Sequence, residues 1–376
     1  MKNASGSRSS WRKSRARGEP PPAPARYWHT LDDGRIQCDL CPRECRLREG
    51  QRGLCFVRAN EGGRLVLTTY GRSSGFCVDP IEKKPLYHFL PGTPVFSFGT
   101  AGCNLTCAFC QNWDISKSRE MDTLMDSAGP EEIAETARRL GCRSVAFTYN
   151  DPVIFLEYAV DVARACRERG IRTVAVTAGY ISPEPAKEFF SLMDAANVDL
   201  KALDDDFYRR ICTARLEPVL DTLRYLVHET DTWVEVTNLV IPGLNDAPDQ
   251  IRRLAGWVSG ELMPSVPLHF SAFHPDFRMR DRPATPASTL RRARKVALEE
   301  GAEFVYLGNV LDEEGSTTWC PGCGRALIQR LGYDIIGWNL TPEGACPDCG
   351  GALPGVLEVE PGTWGNRRLP VRMGTG

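Results

Sequence analysis

Between residues 94 and 308, short apolar runs of strand character alternate with stretches whose apolar positions follow a helical period. Pro94–Gly99 alternates as a strand, followed by SVAFTY (144–149), RTVAVTAG (172–179), NVDLKA (197–202), TWVEVTNLVIPG (232–243), VPLHFSAF (266–273) and EFVYLG (303–308). Helical patterns fill the gaps, from Val153 to Arg169 and over 183–191, 204–211, 216–229, 248–258 and 286–300. This alternation predicts parallel β/α units, and six or more of them predict a complete or partial barrel. In such barrels the active site gathers at the C-terminal ends of the strands.

Those ends carry a defined set of groups. The first strand runs into Cys103, Cys107 and Cys110, and the second into Tyr149-Asn150-Asp151-Pro152. The third ends in Thr177-Ala178-Gly179-Tyr180, the fourth contains Asp199-Leu200-Lys201, the fifth ends in Val240-Ile241-Pro242-Gly243 and the sixth in Phe273-His274-Pro275. Each has an ordinary alternative reading: Asn-Asp-Pro starts helices, Ala-Gly makes turns, and a lone His is commonly structural. Their gathering on one rim marks them as a site.

Charge and composition narrow the class. The 376 residues carry 46 Lys/Arg and 48 Asp/Glu, with seven of the bases and one of the acids in residues 1–26. The remaining chain is therefore at −8, which argues against general nucleic-acid binding. Residues 1–26 lack an apolar core and read as a disordered basic tail rather than a secretory signal. No run of 18 apolar residues exists, so no membrane span is expected and the chain reads as cytoplasmic.

Fifteen cysteines then stand out, since reducing compartments disfavour disulfides and clustered thiols there more often bind metal. Eleven fall into three groups. Cys320-x2-Cys323 and Cys346-x2-Cys349, each followed by Gly, form two knuckles that predict a tetrahedral site with zinc favoured over a single iron. Cys38-x2-Cys41-x3-Cys45-x9-Cys55 suits either a four-thiolate zinc site or an auxiliary [4Fe-4S] cluster. Cys103-x3-Cys107-x2-Cys110 supplies three thiolates to a four-iron cubane and leaves one iron open. Cys77, Cys142, Cys166 and Cys212 stand alone and receive no chemistry.

The motif GCNLTCAFCQNW (102–113) resembles that of the radical S-adenosylmethionine (SAM) superfamily. CDLCPRECRLREGQRGLCFVR (38–58), PIEKKPLYHFLPG (80–92), YNDP (149–152) and LVIPGLND (239–246) extend the likeness to relatives of pyruvate formate-lyase activating enzyme, and more narrowly to the AmmeMemoRadiSam-system radical SAM proteins. The resemblance implies a partial (β/α)6 barrel over 94–310, an N-terminal Cys-rich segment over 27–93 and a zinc-ribbon-like four-cysteine module over 311–376. It implies a [4Fe-4S] cluster on Cys103, Cys107 and Cys110 whose open iron binds the amine and carboxylate of SAM. Tyr149, Asn150 and Asp151 stand where relatives carry a Gly-Gly-Glu stretch that meets the amine, although this chain has no Gly-Gly there. Lys201 is implied at the carboxylate, Asp199 near Thr177 at a small cation beside it, His274 at the ribose and Val240 at the adenine.

The implied activity is reductive cleavage of SAM to a 5′-deoxyadenosyl radical that takes hydrogen from a substrate. Electrons are expected from a flavodoxin- or ferredoxin-type donor, and the substrate class, small molecule or protein, stays open. Glycyl-radical-enzyme activation is the first alternative. A zinc-ribbon binding or regulatory protein on an inactive barrel is the second.

Overall fold

The structure, a computed structural model, describes residues 22–117 and 126–373. Its centre is one mixed sheet. Strand β1 (Arg72–Pro80) runs antiparallel to β2 (Pro94–Gly99), after which β3 (Ser144–Phe147), β4 (Arg172–Thr177), β5 (Ala195–Asp199), β6 (Trp233–Val240), β7 (Leu268–Ala272) and β8 (Val305–Gly308) continue parallel to β2 in chain order. Leu369–Pro370 and Asp126–Ser127 add short antiparallel pairings to β1.

Parallel neighbours need crossovers, and helices supply them: α1 (Pro130–Arg139), α2 (Leu156–Arg167), α3 (Pro183–Phe190), α4 (Glu217–Glu229), α5 (Pro248–Trp257) and α6 (Ala287–Glu299). Local chemistry agrees with several of the starts and stops. Pro opens α1, α3 and α5 where its missing N–H costs nothing, and α1 carries Glu131 and Glu132 in its first turn and Arg138 and Arg139 in its last. The strands are buried on both faces, as covered parallel strands must be; Val95, Phe96 and Phe98 of β2 and Val145, Ala146 and Phe147 of β3 are fully enclosed. Seven parallel strands and six crossovers thus realise the expected β/α series, and among the described residues β8 pairs with β7 alone.

Two boundaries move. The helix expected over 204–211 is one short turn, Asp205–Phe207, followed by a wider π-helical turn, Tyr208–Cys212, ended by Thr213 in the left-handed region. The tail expected over 1–26 falls outside the described residues through residue 21, but Ala23–Pro24 pair with Leu67 and Val66 as an edge strand. Tertiary contacts hold this end: the Arg26 amide donates to Glu157 on α2 at 2.7 Å.

The flanking regions dock on the sheet. Residues 23–67 form two small antiparallel sheets, fastened by the buried Arg58–Glu157 ion pair at 2.6 Å. At the other end Thr318–Trp319, Ala326–Leu331 and Asp334–Trp338 form a three-stranded antiparallel sheet beside the two Cys-x2-Cys knuckles. Its Arg330 is fully buried against the Tyr87 ring at 4.3 Å and donates to the Tyr87 carbonyl at 2.7 Å.

Candidate active site

The strand ends converge on a cavity of about 630 Å³, lined by residues from β4 to β8 and from the loops that follow β2 and β3. The loop after β2 brings Cys103, Cys107 and Cys110 to its wall. Glycines fix that loop: a Cβ on Gly99 would lie 2.5 Å from the Thr148 carbonyl, and one on Gly102 would lie 1.9 Å from the Cys55 carbonyl. Gly102 also takes φ +84°, which only Gly adopts at little cost.

Each thiol has polar company. The Leu105 amide points at Cys103 Sγ at 3.5 Å, and the Ser116 hydroxyl lies 2.9 Å from Cys110 Sγ. Cys212, presented by the π-helical turn, lies beside Cys107; its thiol, with Lys201 and Lys117 nearby, holds the Cys107 thiol below its usual range against the opposing effect of burial. Cys212 received no role from its isolated place in the sequence. Only its partner across the cavity wall reveals one.

The expected cofactor residues divide into those facing the cavity and those supporting it. Lys201 faces it, paired with Asp199 at 2.8 Å. Burial disfavours the Lys201 charge, but Asp199 and the neighbouring thiols raise it well above the ordinary value, so the ammonium is retained. Asp151 accepts from the Val153 amide at 3.1 Å, the Thr177 hydroxyl at 2.9 Å and the Ala178 amide at 3.1 Å, so Thr177 serves Asp151 and ties the ends of β3 and β4 together. Burial raises Asp151 to about 6 against those three donors. Asn150 staples the cysteine loop: its side-chain amide donates to the Gly102 carbonyl at 2.8 Å and accepts from the Thr100 amide at 3.2 Å.

Tyr149 takes φ +71°, an outlier for a bulky residue, and lays its ring beside the Lys84 ammonium at 5.2 Å. Val240 is buried below the surface while Leu239 reaches the cavity, and His274 is exposed beyond β7, outside the lining.

The segment 80–92 also splits. Lys83, Lys84 and Tyr87 line the cavity. Lys84 is buried and bonded to Asp79 at 2.8 Å; burial would raise Asp79, but Lys84 and Lys83 bring it down to about 2, and we take the pair as ionised on its geometry although burial also lowers Lys84. His88 instead seals the seam with the C-terminal module: its Nδ1–H donates to the Pro354 carbonyl at 2.7 Å, which leaves Nε2 to accept from the Tyr306 hydroxyl at 2.6 Å.

Several lining residues carry no sequence signal. His269 of β7 donates to Glu235 of β6 at 2.6 Å, and Glu235 also accepts from the Tyr87 and His88 amides. Burial pushes Glu235 up, but His269 and those amides bring it below the carboxylate range. Asn309 after β8 and Tyr333 of the C-terminal sheet complete the wall, so the module is part of the cavity.

At the C-terminal knuckles Cys320 and Cys349 sulfurs lie 3.4 Å apart and Cys323 and Cys346 sulfurs 3.6 Å apart. Gly324 and Gly350, both left-handed, return their amides to the Cys320 and Cys346 carbonyls at 2.8 and 2.9 Å. Among the described residues this is the one group of His, Cys, Asp or Glu ligands drawn within 4.8 Å of one another.

Known proteins place the chain. It is 43% identical over 334 residues to the uncharacterized protein MJ0808 of Methanocaldococcus jannaschii, covering 89% of this chain and 99% of that one. The family model for the radical SAM superfamily matches residues 98–255. The chain belongs to the radical SAM superfamily. The chain is 25% identical over 217 residues to the pyruvate formate-lyase-activating enzyme of Clostridium pasteurianum, covering 53% of this chain and 87% of that enzyme. A solved radical SAM methyltransferase from Sphaerobacter thermophilus aligns with 76% of each chain at 17% identity and a TM-score of 0.44. The residues 98–255 common to this radical SAM family begin in β2 and end in α5, so both outer cysteine groups lie beyond them. Among the described residues no helix is long and apolar enough to cross a membrane.

Proposed function

We propose that this protein is a cytoplasmic radical SAM enzyme that abstracts hydrogen from a substrate held in the cavity at the strand ends. The observation that carries this reading is three thiols of one glycine-fixed loop on the wall of a large cavity, next to a retained ammonium. The donor set fits the cofactors. Cys103, Cys107 and Cys110 are spaced for a cluster with one open iron, and the Thr237 hydroxyl, buried in the lining, has no hydrogen-bond partner among the described residues. When bound, the [4Fe-4S] cluster and SAM supply one-electron cleavage of a sulfonium C–S bond and a 5′-deoxyadenosyl radical.

The chain's own groups do the positioning. Lys201 offers its ammonium to the SAM carboxylate, and Asp199, half-exposed beside it, offers a carboxylate to a small cation there. Because Asp151 and Asn150 are engaged in holding the loops, we assign contact with the methionine amine to the backbone of 149–151. Leu239 and the buried Val240 form the apolar floor for adenine. Lys83, Lys84, Tyr87, His269 and Tyr333 face the remaining space and receive the substrate, and closing that space from water protects a reactive radical. We assign zinc to Cys320, Cys323, Cys346 and Cys349, whose sulfur spacing suits one tetrahedral ion.

A second reading, activation of a glycyl-radical enzyme, draws on the activating-enzyme relatives. The two cysteine-rich flanks outside residues 98–255 favour the first. A flavodoxin- or ferredoxin-type protein is the proposed electron donor. Anaerobic reconstitution followed by dithionite and SAM should release 5′-deoxyadenosine, and Cys103→Ala should reduce the release to the blank. A cluster-loaded wild-type protein that releases none with any candidate substrate would remove the proposal.

A further inference from the structure

The N-terminal cysteines pose a separate question. Cys38, Cys41, Cys45 and Cys55, brought together from two strands and two turns, line one small void of about 20 Å³. Cys38, Cys41 and Cys55 are buried and Cys45 half-buried. Four inward thiols in a protein interior are poor packing, because they leave a space that apolar side chains would fill.

Three observations describe what the space accepts. First, the sulfurs stand apart. A zinc ion with Zn–S bonds of about 2.3 Å draws four thiolates to roughly 4 Å from one another, the spacing of the C-terminal knuckles, whereas a four-iron cubane holds its cysteines farther out. No three of the N-terminal sulfurs lie within 4.8 Å of one another, and the four line a void. Second, Arg58 on the same lining is fully buried. Its two terminal nitrogens bind Glu157 and the Arg26 carbonyl, while its Nε has no partner among the described residues. A buried N–H of this kind requires an acceptor, and a cluster sulfur supplies one while its negative charge matches the guanidinium. Third, Asn104, the residue after Cys103, is part of the lining, and its carbonyl accepts from Arg43 Nε at 2.8 Å. On the other side the Cys55 carbonyl packs directly against Gly102. One wall of this site is therefore the loop that carries the first cluster's ligands.

We propose that Cys38, Cys41, Cys45 and Cys55 hold a second [4Fe-4S] cluster that relays single electrons to the loop of Cys103, Cys107 and Cys110. With four thiolates it has no open iron, so its role is electron transfer and not substrate binding. One electron leaves a low-potential flavoprotein or ferredoxin, resides on the second cluster, and passes on; the donor is oxidised by one electron and no bond is made or broken. The cluster assignment stands by itself, and the relay rests on the proposed radical SAM activity.

The test uses the full chain reconstituted anaerobically with iron and sulfide. Wild type should carry about eight irons, and a Cys103→Ala/Cys107→Ala/Cys110→Ala variant about four, with an electron paramagnetic resonance signal after dithionite that SAM does not alter. An iron-free triple variant with about two zinc ions per chain would overturn the cluster. A wild type whose only cluster survives in the triple variant would keep this site and refute the radical SAM reading, so the two failures are distinguishable. For the relay, Cys45→Ser should lower the ratio of flavodoxin-driven to dithionite-driven 5′-deoxyadenosine formation at least about tenfold, and an unchanged ratio would overturn it.

Discussion

Two groups of four cysteines flank the same sheet, and the chain uses them in opposite ways. The C-terminal four sit on surface knuckles, two of them exposed, with sulfurs at van der Waals distance. The N-terminal four are folded inward around a void with a buried arginine on its wall. Equal counts of the same ligand thus say little about the metal. What separates the two is the space between the sulfurs and the charge beside it. One group is drawn tightly enough for the single ion proposed there, in a module that also lines the cavity; the other opens toward the loop where chemistry is proposed.

This contrast can be broken at several points. The largest effect is expected from Cys346→Ser. Losing one of four ligands should release the metal and unfold the knuckles, because a structural site's binding energy is folding energy; the check is zinc content together with protease cleavage within residues 318–353. Arg330→Met should come next. Removing the guanidinium, which lies 3.7 Å from Glu82, lets that buried carboxyl stay protonated and leaves the Tyr87 carbonyl without its donor, at a cost of about 1–3 kcal/mol in a denaturant titration. The module would then loosen from Tyr87.

His88 offers a pH test of the same seam. Burial lowers it to about 4 from the usual 6.5, so the folded protein keeps it neutral while the unfolded chain takes up a proton below pH 6.5. The unfolded state binds more protons between those values, and stability is lost as pH falls through them. Wild type should lose on the order of 3 kcal/mol more than His88→Gln between pH 7 and pH 4. Glu82, raised to about 7 chiefly by burial, works in the opposite direction, which is why the difference between the two proteins is the readout. The smallest effect belongs to Arg325→Ala. Its pairing with Asp348 at 2.8 Å is exposed to solvent, and its loss should leave the denaturation midpoint unchanged within error.

Much of the architecture was legible because local and global signals agree. Runs such as SVAFTY and RTVAVTAG are apolar on both faces, as parallel strands must be, and Pro-led acidic starts mark the helices between them. The three-cysteine loop and both four-cysteine groups were equally plain from spacing.

The remainder depended on partners distant in sequence. Cys212 received no chemistry from its isolated place in the sequence, and a π-helical turn brings it beside Cys107. His269 and Glu235 lie inside strands, where a polar residue gives no sign of which face it takes. His88 and His274 show the converse. One stands in the 80–92 segment that carries part of the family likeness and is locked in the core by Pro354 and Tyr306, while the other was expected at the ribose and stands exposed. Thr177 was expected near Asp199, and its hydroxyl goes to Asp151 because the ends of β3 and β4 are adjacent.

The most direct test of three cysteine groups with three separate uses is the electron paramagnetic resonance spectrum of the dithionite-reduced, fully reconstituted protein, recorded with and without SAM. Two reduced [4Fe-4S] signals, of which SAM shifts one and leaves the other unchanged, are the predicted result. A single signal, or two that both ignore SAM, would contradict it.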